Sequence, residues 1–263
     1  DFPYIKYEPS KTYREWGIAH GESFKEGIRE LLEIRKELML KKNPSLSGEI
    51  DSLAQLQFNI TKDFAPEITE EIEGIAQGAD LSISEIVILN NYTDFRDIQL
   101  PEEGCSTVHV QKNNEILSGQ TWDMHGSAKR FVNVIHVPKT PTTPEAIVFS
   151  LIGCVGLMGI NTSQNLIGVN NINTANAQAG LIWPALVRKV LKETSLSGMR
   201  SKLTSAPVTS GHNYLLTSPE GGEHWEITPH LQEKVASLKE KEALITNKVN
   251  ESLEDQIIAG NED

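Results

Sequence analysis

The sequence has little cysteine, few aromatics and no long apolar run. Of its 263 residues 2 are cysteine and 6% are aromatic. The two thiols, Cys105 and Cys154, are too few for a disulfide scaffold, and with 7 scattered histidines they form no CxxC or HxxxH spacing. Neither a structural metal nor a cofactor is expected. The longest apolar stretch, residues 146–157, is interrupted by Ser150, Gly153 and Gly156 and falls short of the ~20 residues of a membrane-spanning helix. Blocks of positive charge are missing too. With 24 Lys+Arg against 36 Asp+Glu the net charge is -12, a field that repels phosphate backbones and anionic lipid surfaces. Nucleic acid and membrane are not expected as partners. The sequence opens on Asp1 rather than Met, which reads as a trimmed start with any signal peptide already removed, and this leaves the compartment open with a lean to the cytoplasm.

What is present is an ordinary core-forming composition, 38% hydrophobic and 23% charged. Residues 11–42 carry Ile28, Leu31, Leu32, Ile34, Leu38 and Met39 at helical spacing, and Asn43-Pro44 stops them. A second helix is predicted over 48–63, a third opens at Pro66 with Ile68, Ile72, Ile75, Ala76 and Ala79 on one face, and Ser82 with Glu85 forms a capping box for a fourth over 83–92. From Gly104 the text turns β-rich. Residues 105–111 and 115–122 read as a hairpin, with strands at 132–137, 146–152, 157–160 and 165–170. A helix from Pro184 to near Gly198 and a last hairpin around Glu220-Gly-Gly follow. Helices, then strands, then a helix and strands again predict an α+β or layered sandwich fold.

Cys105 follows Gly104 at the start of a predicted strand, after the acidic loop Leu100-Pro-Glu-Glu. Glycine leaves the preceding carbonyl open to attack by the thiol. Gly153-Cys154 is a second such pair and reads as core packing within a strand, because free cysteine is among the most buried residue types.

Six segments, in order, distinguish the first pair: Glu70-Glu-Ile-Glu-Gly-Ile-Ala-Gln-Gly-Ala, Glu85-Ile-Val-Ile-Leu-Asn, Gly104-Cys-Ser-Thr, Gly119-Gln-Thr-Trp-Asp, Gly159-Ile-Asn-Thr and Trp183-Pro-Ala-Leu-Val-Arg-Lys-Val-Leu. On these the chain resembles the acyl-coenzyme A:6-aminopenicillanic acid (isopenicillin N) acyltransferase family over about residues 10–250. The resemblance implies the four-layer αββα fold of N-terminal-nucleophile hydrolases and a precursor that cuts itself between Gly104 and Cys105. It divides the chain into a mainly helical segment 1–104 and a segment 105–263 that carries the nucleophile, the two staying associated as one domain. Cys105 is then the nucleophile, with its own α-amine, of pKa near ~8, as the base. Asp123, across the hairpin, would hold that amine, and Asn247 and Asn171 would donate to the oxyanion, with Asn170 an equally placed rival of Asn171.

This sequence departs from the family at Thr121, where an asparagine is usual, at Gln164-Asn165, where a glycine is usual, and at Ile245 and Lys248, where histidines commonly flank the Thr-Asn pair. The family continues into a segment that supplies a serine and an arginine, so the sequence reads as truncated at its C-terminus or as doing without them. The resemblance implies a small amide or acyl thioester as substrate. Alternatives are a bile-salt or penicillin V amidase-like hydrolase and an inactive binding protein that keeps the fold. An unprocessed cysteine hydrolase would need a histidine near Cys105, and the sequence singles out none of the seven.

Overall fold

The protein is seen in a computed structural model that describes residues 2–92, 94, 105–112, 115–172, 177–238 and 243–247. Helix α1 (Tyr13–Lys42) begins at a Thr12/Glu15 capping box and ends at Asn43. Helices α2 (Ile50–Phe64) and α3 (Pro66–Ala79) follow, the second with proline in its first turn. Helix α4 (Ile83–Asn90) starts at the expected Ser82/Glu85 box, where each side chain satisfies the other residue's orphan backbone N–H. The last two described helices are α5 (Trp183–Val190) and α6 (Leu196–Thr204). They replace the one helix expected over 184–198: α5 stops at Val190, and Ser195 caps a new helix by accepting from Gly198 N–H.

Strand β1 (Tyr4–Lys6) lies parallel to β4 (Val132–Val137), and antiparallel pairing continues through β5 (Ala146–Leu151), β6 (Met158–Asn161), β7 (Leu166–Asn171), β8 (His212–Ser218), β9 (Gly221–Ile227) and β10 (Gln232–Leu238). A second sheet has the order β11 (Ala243–Asn247), β2 (Ser106–Lys112), β3 (Glu115–Gln120). The two sheets meet face to face: His109 Nδ1 of β2 lies 2.7 Å from Thr217 Oγ1 of β8, and Asn170 Nδ2 of β7 donates to Thr107 Oγ1 at 3.3 Å. Helix α5 packs on the large sheet at β6, and α6 packs on it at β8 and β9. The fold is therefore α+β, and the described residues supply an α, a β and a second β layer; an outer helical layer of an αββα sandwich is not among them. None of the described helices is long and apolar enough to cross a membrane.

Helices α1 and α3 cross at Gly17, Gly21, Gly74 and Gly78. A Cβ at Gly74 would lie 2.1 Å from Arg14 O and one at Gly21 2.5 Å from Ile75 O, so the backbones touch only because side chains are absent. The crossing places His20 of α1 and Glu71 of α3 side by side, both fully buried. Glu71 accepts a bidentate pair from Arg188 of α5 at 2.9 Å and a bond from Tyr7 OH at 2.8 Å.

Cys154 is fully buried as expected, but in a turn rather than a strand, since β5 ends at Leu151. Gly153 (φ 79) and Gly156 (φ 157) give that turn its shape, in backbone regions where other residues are strained. Buried side chains satisfy its backbone: Gly153 N–H donates to His20 Nε2, Gly153 O and Val155 N–H bind Asn90, Val155 O accepts from Arg188, and Cys154 O accepts from Ser150.

Arg188→Met strands Glu71 without a counter-charge and should cost about 3–5 kcal/mol in urea unfolding, whereas a loss below 1 kcal/mol would show that the pair is dispensable. Burial, with the Arg188 charge adding, lowers the pKa of His20 to about 3, and burial lowers His109 and His224 to about 4. Below the ordinary value near ~6.5 the unfolded chain takes up protons that the folded chain refuses, so stability is full above that pH and falls as acid is added, by up to about 1.4 kcal/mol per unit per group. Melting temperatures at pH 7, 6 and 5 should fall steadily, with His20→Gln flattening part of the slope; a flat wild-type profile would contradict buried neutral histidines.

Candidate active site

Cys105 immediately precedes β2 and is half-buried. The β2–β3 register puts Thr107 opposite Gln120, and beyond it Thr121 closes the ladder in both directions. Thr121 N–H donates to Ser106 O at 2.8 Å and Thr121 Oγ1 accepts from Ser106 N–H at 3.0 Å. A hydroxyl thus meets a backbone need at the position where the sequence departs from the family's asparagine. This clasp holds the entry to β2 and the exit from β3 together, and so brings Cys105 and Asp123 to one end of the small sheet. Asp123 is exposed on one side and lines the same cavity as Cys105 on the other.

Asn171 also lines that cavity, as the last residue of β7. Asn170, its rival, is buried and donates to Thr107, between the two sheets. Strand alternation separates the two, and Asn171 is the one at the cavity. Asn247 pairs with Ser106 in the β11–β2 register, which puts its backbone at the same end of the small sheet as Cys105; its side chain lies outside the described residues, as does Gly104.

Pairing of β6 with β7 runs only from Ile160↔Leu166 to Gly159↔Ile167, and from there a side chain takes over. Gln120 Oε1 accepts from Val169 N–H at 2.9 Å, and Gln120 Nε2 donates to Val169 O at 2.6 Å. A Cβ at Gly168 would sit 2.8 Å from Gln120 Oε1, so glycine is needed for this approach. Gln120 thereby ties the small sheet to the strand that delivers Asn171.

The cavity brings further residues that sequence reasoning missed: Arg35 of α1, Asn90 and Tyr92 around the end of α4, Trp183 and His212. His212 is buried against Trp183, ring centroids 5.4 Å apart, and its Nε2 lies 3.6 Å from Asp94 Oδ1, which also accepts from Ser210 Oγ. One of the seven histidines, none of which the sequence singled out, therefore shares a cavity with Cys105. No motif marked it, because His212 and Asp94 are far apart in sequence and adjacent only in the fold. The second cysteine takes no part: Cys154 is sealed, and burial raises its thiol pKa.

No family model matches the chain. The acyl-coenzyme A:6-aminopenicillanic-acid-acyltransferase 40 kDa form of Emericella nidulans is 29% identical over 196 residues, covering 74% of this chain and 55% of that protein. The chain spans about half the length of this curated relative. The similarity supports relatedness to the acyltransferase family that the motifs suggest.

The Gln120 bridge gives a direct test of how the site is held. Gln120→Ala leaves both backbone groups of Val169 without their partner, at about 1–3 kcal/mol for each if no water replaces it. Urea unfolding should show a combined loss of about 2–6 kcal/mol; a loss near zero would mean that Asn171 is positioned by its own strand alone.

Proposed function

We propose that the protein is a self-processing cysteine enzyme of the N-terminal-nucleophile type, which transfers or hydrolyses acyl groups of small amides or thioesters through an S-acyl Cys105. The observation that carries this reading is that Cys105, Asp123 and Asn171, from three separate places in the sequence, line one cavity. The acyltransferase activity in the name of the relative supports acyl chemistry. Trp122, Met124, Leu157, Met158 and Trp183 around the same space suit an apolar acyl group.

In this mechanism the Cys105 thiol attacks the Gly104 carbonyl carbon, the peptide C–N bond breaks, and a thioester forms with the amine of Cys105 released. Water hydrolyses the thioester, leaving the Gly104 carboxyl group and a free thiol. The α-amine, now beside the sulfur, serves as base for the substrate reaction, with Asp123 holding it by a charge-assisted hydrogen bond. Asn171 and Asn247 supply neutral donors for the oxyanion. Fragments 1–104 and 105–263 should stay together, because β1 pairs with β4 and Glu71, His20 and Asn90 bind groups from the later fragment.

A second reading is favoured by His212 at the cavity with Asp94 beside it: an uncut cysteine hydrolase in which His212 is the base. Intact mass separates the two. The purified wild type should give two fragments divided at Gly104/Cys105, Cys105→Ala a single chain, and Asp123→Asn a slowed or absent cut. A folded wild type that stays whole favours the His212 reading if it turns over an acyl substrate, and an inactive binding protein if it does not. In the processed enzyme Asn247→Ala should lower kcat by the equivalent of about 2.7–4 kcal/mol with a smaller change in KM, as loss of one oxyanion donor does; an unchanged kcat would assign the role to other donors.

A further inference from the structure

Arg35 is the one described arginine without a carboxylate partner. Arg14, Arg29, Arg130, Arg188 and Arg200 pair with Glu73, Asp80, Glu30, Glu71 and Glu223 respectively. Arg35 is nevertheless only 5% exposed, on the face of α1 that also buries Leu31, Leu32 and Met39. Its Nη1 donates to Leu89 O, one of the last carbonyls of α4, and approaches Cys154 Sγ at 3.6 Å, while the guanidinium carbon lies 4.9 Å from the centre of the Tyr92 ring. All three partners are uncharged. Among the described residues no protein acceptor engages Nε or Nη2.

The carbonyl end of α4 and the face of Tyr92 favour a cation, but neither is a full counter-charge. A desolvated guanidinium is normally balanced by one, as Arg188 is by Glu71. The space Arg35 borders is the cavity of Cys105 and Asp123. Its planar fork matches a carboxylate in two hydrogen bonds, which a lysine in its place would not do.

We propose that Arg35 is an anion anchor in the candidate active site, and that the substrate of Cys105 carries a carboxylate close to its reacting carbonyl. This rests on the reading of Cys105 as the nucleophile. The protein as a whole, at net charge -12, repels anions, so a preference for one at Cys105 has to arise locally.

Alkylation of Cys105 tests this without a known substrate. Iodoacetate and iodoacetamide attack the same thiolate and differ in charge, so the ratio of their rates is insensitive to how much thiolate is present. Rates are read by peptide mass at Cys105 in folded protein and in the same protein unfolded in urea. The iodoacetate/iodoacetamide ratio should be at least about tenfold higher in the folded state, the scale of one charge-assisted hydrogen bond. Arg35→Met should bring it down to the unfolded value, and Arg35→Lys should keep part of it. Should Arg35→Met not fold, hexanoate should protect wild-type Cys105 from iodoacetamide at concentrations where hexanamide does not. A wild-type ratio equal to that of unfolded protein, a raised ratio that survives Arg35→Met, or equal protection by acid and amide would each overturn the Arg35 proposal and leave the nucleophile reading intact. A folded protein whose Cys105 resists both reagents would overturn both.

Discussion

The architecture depends on a buried turn, residues 151–157, that carries more polar backbone than its surroundings can hydrate. Such a segment is stable only if every N–H and C=O finds a partner. Here the partners are side chains from four helices: His20 of α1, Glu71 of α3 acting through Arg188 of α5, and Asn90 of α4. The glycine contacts between α1 and α3 bring His20 to the turn and Glu71 to Arg188. Because Leu157, Asn90 and Trp183 all border the cavity, the cluster that holds the turn also sets one wall of the site.

The opposite wall is built differently. It is the edge of the small sheet, held by the Thr121 clasp and by the Gln120 bridge to β7. Both are local hydrogen-bond devices at the end of a hairpin, so this wall is less deeply buried than the helical one, and Asp123 retains solvent exposure. The candidate nucleophile thus sits where a rigid, buried polar cluster meets an exposed sheet end. Arg35 and His212 lie on the buried side of the cavity and Asp123 on the exposed one.

Much of this was legible in the sequence. Capping residues and prolines located α1, α3 and α4 to within a residue or two, since they act through local backbone groups. The motifs that carry the resemblance also build the structure. Glu71 and Arg188 come from two of the six segments and meet as a buried pair, and Gly119-Gln-Thr-Trp-Asp supplies the bridge, the clasp and the cavity aspartate. The Asn161 of Gly159-Ile-Asn-Thr is structural: it donates to Leu191 O and Glu193 O and accepts from Ser163 and Asn165 N–H, which fastens the end of α5 to the β6–β7 turn. Gln164 in that turn takes φ 62, the conformation that favours the glycine usual in the family. Arg35 and His212 were not legible. A helical arginine in an amphipathic pattern reads as a solvated charge, and a lone histidine in a strand has no local signature; only the crossing of α1 and the end of β8 place both at the cavity. The break between α5 and α6 escaped notice because the apolar pattern runs on through Leu191 while the chain turns.

Acyl-enzyme trapping tests the central claim most directly. Purified protein would be treated with an activated ester or thioester of a small carboxylic acid, quenched in acid, and mapped by peptide mass. One acyl group is expected, on a peptide whose first residue is Cys105, with Cys154 unmodified. Acylation at Cys154 or elsewhere with Cys105 untouched, or no acyl adduct on folded protein under any such donor, would contradict it.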